Sequence, residues 1–505
     1  MSADSLLAGP APAVTAPAAR PPRLVIALIA AAAFAAEMAV GARYGYHRDE
    51  LYFLQAGQHP ALGYVDQPAL TPLAARAMAA LTGNTLAGLR LLPALLLAAM
   101  VYLAAAMSRL LGGGRAAQVI AALATACCGE YLAASHLFST TTLDFAFWAL
   151  TFYLVLRLLR SADPRWWLAV GAAAGVAGSA KWTIGVLAAA LVAGCLATPA
   201  RALLRSRYAL AGAVLAAALA SPDVIWQASH GWPNLAVFGA LHGQAGHNIA
   251  VYWAAQLIYT GVALTPVWLA GEWWCLRDPA ARPFRPAGIA ALIVLAVFFV
   301  AGGKPYYGGG VFTFLFAAGS LPVARWLAGR RLRQAAAAAV LALSTALTLP
   351  IALPVLPAGA LATIPLQKIN YDLAETIAWS RQVALVARLY HALPPGQRAT
   401  TAILAGNYGE AGAIDRYRPG TGLPPAFSGS NSFWFWGPPP ARDTSAIAVN
   451  MDPALLRRLF RQVRQVAVFR NGLGVRDDEQ GVVIDEAAGL RMPWRAAWPL
   501  LREFS

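Results

Sequence analysis

The chain has 505 residues, of which 59% are hydrophobic and 12% are charged, and its formal net charge is +16. A soluble domain carries roughly 25% charged residues, so the composition excludes an ordinary water-soluble globule. The basic balance does not indicate a nucleic-acid partner, because the arginines lie in short loops between apolar runs instead of forming one patch.

Residues 1–22 are rich in Ala and Pro and are expected to be disordered. A signal peptide at Arg20, Arg23 and the run that follows is the weaker reading. Glu37 interrupts that run, and removing it would spoil the loop charge asymmetry described below. Apolar runs then recur at 24–42, 86–108, 117–135, 141–158, 166–180, 182–199, 208–222, 251–272, 287–302, 309–327 and 334–353. Most approach the roughly 20 residues that cross a bilayer as a helix. The expected fold is an all-α polytopic membrane domain over 23–354, with about 11 transmembrane helices, followed by a small α/β domain at 355–505. Cys127, Cys128, Cys195 and Cys275 lie inside or at the ends of the runs, without metal-ligand spacing.

Cytoplasmic loops carry an excess of Lys and Arg. With the N-terminus inside, the inner loops hold Arg109 and Arg115; Arg157, Arg160 and Arg165; Arg201, Arg205 and Arg207; Arg277, Arg282 and Arg285; and Arg330, Arg331 and Arg333. The outer loop from Pro222 to Ala250 holds neither Lys nor Arg. This alternation predicts a multi-pass protein of the inner or plasma membrane, with its C-terminal domain outside.

The stretch GARYGYHRDELYFLQAGQHPALGYVDQPALTP, Gly41–Pro72, leads into and fills much of the first outer loop, 43–85. Arg48 to Ala56 reads as a short helix that Gly57 is able to stop. Pro68 suits a first helical turn. Leu70, Leu73, Ala74, Ala77, Met78 and Leu81 then recur at helical spacing, as on a helix lying along a membrane surface. Loops of this length are usually functional.

Further along, Asp144 stands in HLFSTTTLDFAFWAL, Lys181 in GSAKWTIG and Lys304 in GGKPYYGGG, each near the outer end of a span. Asp223 and His230 follow the seventh span. Ionisable groups at a bilayer are costly and tend to mark sites. Any one of them alone is as well explained by a solvated loop or a structural ion pair. The shared level of Asp49, Asp66, Asp144, Lys181 and Lys304 favours a site. The tail contains the strand-like runs TTAILAG, SAIAVN and QVAVFR and helical patterns at 366–391 and 453–464. In it, NSFWFWGPPP reads first as packing or an interfacial aromatic belt, and second as a lid over a site near the membrane.

The chemistry that suits these charges has two halves. Carboxylates deprotonate or orient an acceptor hydroxyl, and lysines neutralise a departing phosphate. A sugar donor with its lipid tail in the bilayer and its phosphate at the interface needs that arrangement. There is no Walker motif or dinucleotide fingerprint, and the GGG runs at 112–114 and 308–310 read as hinges or turns.

YHRDELYFL and GYVDQPALTPL resemble the first extracytoplasmic loop of bacterial glycosyltransferase family 39 proteins, relatives of protein O-mannosyltransferases and lipid A aminoarabinose transferases in the GT-C fold class. The resemblance continues through TLDFAFWAL, GSAKWTIGV, SPDVIWQASHGWPN, GKPYYGGG, NYGEAGAIDRY and SGSNSFWFWGPP. It implies Asp49 at the catalytic centre with Glu50 beside it, Asp66 as the second loop acid, and Asp144 as the acid near the fourth span. Lys181 and Lys304 match positions expected to meet donor phosphate, with Arg48 added to that set. Tyr46, His47, Tyr64, Gln67, Tyr306, Tyr307 and Glu410 are the implied substrate-proximal residues. Gln67 stands where the aminoarabinose transferases often carry Lys, which puts that local phosphate contact in doubt.

The implied reaction moves a sugar from a polyprenyl-phosphate carrier to an extracytoplasmic glycan, lipid or protein, by inversion with direct attack on C1. Divalent metal use varies across this fold class, and no residue pattern here indicates a metal. A transporter or flippase of a lipid-linked substrate is the alternative. The chain has neither the inverted repeat nor the matching inner-level charges that alternating access requires. A degenerate scaffold used for assembly is a third reading, and the presence of both loop acids argues against it.

Overall fold

The computed structural model describes residues 21–504, so most of the expected disordered tail lies outside the described residues. Seven helices among those residues are long and apolar enough to cross a membrane: Arg23–Val40, Leu86–Leu110, Thr140–Ser161, Arg207–Ser229, Pro279–Val300, Pro305–Leu327 and Arg331–Ala352. Two bent pairs raise the number to as many as nine. Arg115–Ala126 and Gly129–His136 meet at 52°, and Ala245–Thr260 and Val262–Arg277 meet at 90°.

Every expected span is helical, but the expected 11 crossings are reduced to between seven and nine. Trp166–Gly178 and Ile184–Leu196 have 13 residues each. At 1.5 Å per residue such a helix is about 20 Å long, against a hydrocarbon core of about 30 Å. The break between them is Ser179–Thr183, where the GSAK sequence ends the first helix and leaves Lys181 between the two.

The core of the helical domain is aromatic. Trp148, Phe152, Phe312 and Phe314 are fully buried, and Phe152 stacks on Phe314 at 4.7 Å. A second core joins the first outer loop to the tail: Leu51, Tyr52 and Phe53 pack with Val383, Ile403, Ile414 and Phe433. The two regions, far apart in sequence, therefore bury apolar surface against each other.

In the loop, the first helix is Arg48–Gln58, running through Gly57 instead of ending there. The second is Leu70–Leu81, which starts two residues after Pro68. The tail holds a mixed five-stranded sheet of β1 (Thr401–Ala405), β2 (Ala426–Ser428), β3 (Ser445–Val449), β4 (Phe460–Val468) and β5 (Val483–Leu490), in the order β2-β1-β3-β5-β4. β1 pairs in parallel with β2 and β3, whereas β5 pairs antiparallel with β3 and β4. The helix expected at 366–391 begins only at Trp379, after short 3-10 turns. The helix expected at 453–464 ends at Leu459, where Phe460 enters β4 and pairs with Leu490.

Candidate active site

The loop helix is set by its first turn. His47 caps it by accepting the Asp49 N–H at Nδ1, 3.2 Å away, while Glu50 reaches back to the His47 N–H at 2.8 Å. This reciprocal cap fixes the helix start and leaves Asp49 at the positive helix end, where a carboxylate is stabilised. Asp49 is the exposed acid of the pair, with its side chain 38% accessible. Its Oδ1 accepts the Tyr408 hydroxyl at 2.9 Å, and Oδ2 has no hydrogen bond among the described residues.

Glu50, by contrast, is fully buried. Its two oxygens accept from Arg90 at 2.9 and 2.8 Å, from the Phe138 N–H at 2.9 Å and from the His47 N–H. Arg90 spends its remaining donors on the Gly41 and Gly45 carbonyls and on His136. Glu50 therefore anchors the loop to the helical domain and has no oxygen left for a reactant.

Asp66 lies across from Asp49. Its Oδ1 accepts the Tyr52 hydroxyl at 2.8 Å, and the rings of Tyr52 and Tyr408 are 4.9 Å apart. Burial pushes the Asp66 carboxyl up to about 7; the Tyr52 hydrogen bond opposes this and the charge of Asp49 adds to it. Next to it, Gln67 is buried with neither amide atom hydrogen-bonded. Such orphaned groups await water or a ligand.

Tyr408 reaches Asp49 because two glycines bring the helices together. A Cβ at Gly409 would stand 2.8 Å from that of Arg48, and one at Gly412 would stand 3.0 Å from Leu51. These close approaches let helix Tyr408–Thr421 lie on helix Arg48–Gln58. Glu410 turns the other way: it caps its own helix by accepting the Asn407 N–H at 3.0 Å. Burial and the neighbouring Glu479 carboxylate hold Glu410 well above the usual carboxylate range. Its role lies within the tail, and Tyr408 is the residue of that motif that meets the loop acid.

Three other expected residues, Arg48, Tyr46 and His47, serve the docking of loop and tail, whereas Tyr64 bonds within the loop. Arg48 lies 3.5 Å from Glu375 and 3.4 Å from Asp478, and above the Tyr371 ring, so its charge is engaged away from the lysines. Tyr46 accepts from Arg416 at 2.9 Å and lies under its guanidinium. Tyr64 closes the end of the loop helix against the Ala56 and His59 carbonyls. His47 Nε2 lies 3.5 Å from Asp372, on the segment after the last span.

The lysines lie on other elements, between helices Trp166–Gly178 and Ile184–Leu196 and at the start of Pro305–Val311. Lys181 donates to Thr141 Oγ1 at 3.0 Å, and its ammonium is 5.2 and 4.9 Å from the ring centres of Tyr306 and Tyr307. Cation–π contact of this kind holds an ammonium without neutralising it. The charges of Asp144, Lys304, Glu130 and Asp49 all act on Lys181, which brings both ends of the site into electrostatic reach. Asp144 is buried, with one oxygen accepting Trp148 Nε1 at 2.8 Å and the other accepting Thr183 Oγ1 at 2.7 Å. Because Thr183 is two residues from Lys181, Asp144 fixes the lysine's loop. Lys304 opens the 3-10 segment Pro305–Val311, and its charge is felt at both Lys181 and Asp372.

The sequence reading missed Tyr52, Tyr408, Arg90, Glu130 and Asp372. Tyr52 was visible as the residue one helical turn after Asp49. Glu130 is buried, with both oxygens lacking a hydrogen bond, and a Cβ at Gly309 would lie 2.3 Å from Oε1. The Gly308–Gly310 run thus makes room for packing, in line with its reading as a turn. Asp223 lies inside helix Arg207–Ser229 against Gly63. Among the described residues, no group of three or more His, Cys, Asp or Glu side chains is placed to hold a metal ion.

Residues 66–226 match the family described as dolichyl-phosphate-mannose-protein mannosyltransferase. ArnT from Cupriavidus metallidurans in the apo state is similar over 92% of this chain and 97% of its own, with a TM-score of 0.59 at 16% identity. The same protein bound to undecaprenyl phosphate is similar over 91% and 97%, with a TM-score of 0.56 at 16% identity. At that identity the likeness is one of fold: a polytopic helical membrane domain followed by a small mixed sheet. No curated protein sequence matches the chain.

Proposed function

We infer that this chain, whose residues 66–226 match the family described as dolichyl-phosphate-mannose-protein mannosyltransferase, is a multi-pass membrane glycosyltransferase that moves a sugar from a polyprenyl-phosphate carrier to an acceptor outside the cytoplasm. The observation that carries this reading is the two-ended site. Asp49 and Asp66 stand on the loop side and Lys181 and Lys304 on the other, with Lys181 in reach of Asp49, Asp144 and Lys304. The fold shared with ArnT, which has been crystallised with undecaprenyl phosphate, supports a lipid phosphate as the carrier.

In this mechanism Oδ2 of Asp49 takes the proton of the acceptor hydroxyl, while Tyr408 holds Oδ1. The acceptor oxygen attacks C1 of the sugar, the bond from C1 to the phosphate oxygen breaks, and the configuration inverts. The polyprenyl phosphate leaves with the bonding electron pair, and Lys181 and Lys304 neutralise its charge. Tyr306 and Tyr307 hold the Lys181 ammonium in place. Asp66 and the Gln67 amide orient the sugar or the acceptor. A charged contact with phosphate is worth roughly 1.5–3 kcal/mol, which favours departure of the phosphate.

The test uses purified protein in lipid nanodiscs with polyprenyl-phosphate sugars. Release of polyprenyl phosphate coupled to sugar transfer, lost in Asp49→Asn, is the expected result. Movement of the lipid-linked sugar across a vesicle membrane without release would instead establish the transporter reading.

A further inference from the structure

A cavity of about 290 Å³ opens between the first loop, the end of helix Arg207–Ser229 and the aromatic run of the tail. Its walls are two indole–imidazole stacks. Trp436 lies on His59 at 4.2 Å, and Trp226 lies on His230 at 4.1 Å. Phe435 meets the second stack edge-on, 5.7 Å from Trp226 and 5.2 Å from His230. No Lys, Arg, Asp or Glu lines the space. It is near the lower limit of small-molecule clefts, about 300–1,000 Å³, and so has room for a ring-sized ligand.

The imidazoles are set as acceptors. His59 Nδ1 is 3.1 Å from the Gln55 carbonyl and His230 Nδ1 is 2.8 Å from the Trp226 carbonyl. A carbonyl only accepts, so each Nδ1 carries a proton, and in the neutral ring Nε2 keeps a lone pair. Neither Nε2 has a hydrogen-bond partner among the described residues. Two aromatic walls with two lone pairs suit a neutral ring bearing hydroxyl donors and reject an anion. Ser432 connects this space to the acids: its Oγ is 2.7 Å from the Tyr52 hydroxyl, which in turn donates to Asp66.

We propose that this cavity is the acceptor subsite and that it takes a neutral sugar ring, so that the acceptor is a glycan or a glycolipid. The proposal rests on reading the neighbouring carboxylates as the transfer centre. Ring C–H groups pack on the aromatic walls, hydroxyls donate to His59 and His230 Nε2, and the acceptor hydroxyl is directed toward Asp49 and Asp66.

The test titrates full-length Asp49→Asn protein in nanodiscs with methyl α-mannopyranoside, maltose, cellobiose and inorganic phosphate, and reads tryptophan fluorescence and saturation-transfer NMR. At least one saccharide should bind saturably and phosphate should not. Binding should weaken tenfold or more in both Trp436→Leu and His230→Ala. The second variant stands on the far wall, in case the first does not fold. Saccharide binding unchanged in the folded variants, no saturable saccharide signal, or binding of phosphate alone would each overturn the subsite. Because the background is already inactive, the binding result is independent of whether the wild type transfers sugar.

Discussion

The hydroxyl of Tyr408 donates a 2.9 Å hydrogen bond to Oδ1 of Asp49, across 359 positions of sequence. The contact places a tail residue directly on the exposed loop acid and makes the tail part of the site. Tyr408→Phe removes this donor and keeps the ring that packs on Tyr52. A hydrogen bond to a charged group is worth about 1.5–3 kcal/mol, so turnover should fall by roughly ten- to hundredfold. The KM for the lipid donor should stay within a factor of two or three, because the donor meets the lysines. Steady-state kinetics decide it; a raised donor KM with unchanged turnover would remove Tyr408 from the acid's support.

Glu50 and Asp49 are adjacent, yet their substitutions should fail differently. Glu50 and Arg90 form a buried pair, 2.8 Å apart. Breaking such a pair leaves an uncompensated charge and costs about 3–5 kcal/mol. Glu50→Gln and Arg90→Met should therefore lower the melting temperature and the folded yield in detergent. Asp49→Asn, at a partly exposed position, should abolish turnover while the melting temperature barely moves. Thermal unfolding beside activity separates the two, and a fully stable Glu50→Gln would contradict the anchoring role.

Much of this was legible in the sequence, because a bilayer leaves strong signals. Long apolar runs and arginine-rich loops pointed to a helical membrane domain, and of the isolated charges Asp49, Asp144 and Lys304 lie in electrostatic reach of Lys181, and Asp66 in reach of Asp49. Three things were not legible. Hydropathy does not show that Trp166–Gly178 and Ile184–Leu196 are too short to cross alone. Adjacency does not tell which of two acids turns inward; that depended on Arg90, 40 residues away. Tail motifs reveal their partners only after docking, so Glu410 drew attention that belonged to Tyr408.

Asp66 should give the reaction its acidic limb. Its carboxyl is raised to about 7, chiefly by burial, so the proton remains on it up to neutral pH and the charged form dominates only above. If the ionised form orients the acceptor, turnover should rise about tenfold per pH unit below 7 and level off above it. Asp66→Asn should be slow and should lose that inflection. A wild-type profile flat from pH 5.5 to 8 would exclude the titration of Asp66 from the rate-limiting step.

Lys181 and Lys304 should act on the donor. Lys181 is held by Thr141 and the two tyrosines, and among the described residues no carboxylate forms a direct ion pair with it. Its charge is thus left for a ligand. Lys181→Ala and Lys304→Ala should each weaken donor use by about ten- to hundredfold, the worth of a charged contact. Lys181→Arg should recover only part, because a planar fork does not fit a place shaped for a compact ammonium. Unchanged donor kinetics in both alanine variants would reduce the lysines to packing.

The last prediction concerns which side the site faces. The arginine alternation places the N-terminus in the cytoplasm and the first loop outside. Nine crossings, reached when both bent pairs cross, and seven, when neither does, are odd and carry the tail to the same side as that loop. The shared core of Leu51, Tyr52, Ile403 and Ile414 requires loop and tail to lie on one side, whatever the count. Alkaline phosphatase fused after Ser505 should therefore be active, and a fusion at Arg205 should be inactive. An inactive Ser505 fusion that is well expressed would place the whole site in the cytoplasm, where a nucleotide sugar would replace the lipid-linked donor as the natural substrate. An active Arg205 fusion would break the alternation and remove the reason for treating Lys181 and the loop acids as facing one compartment.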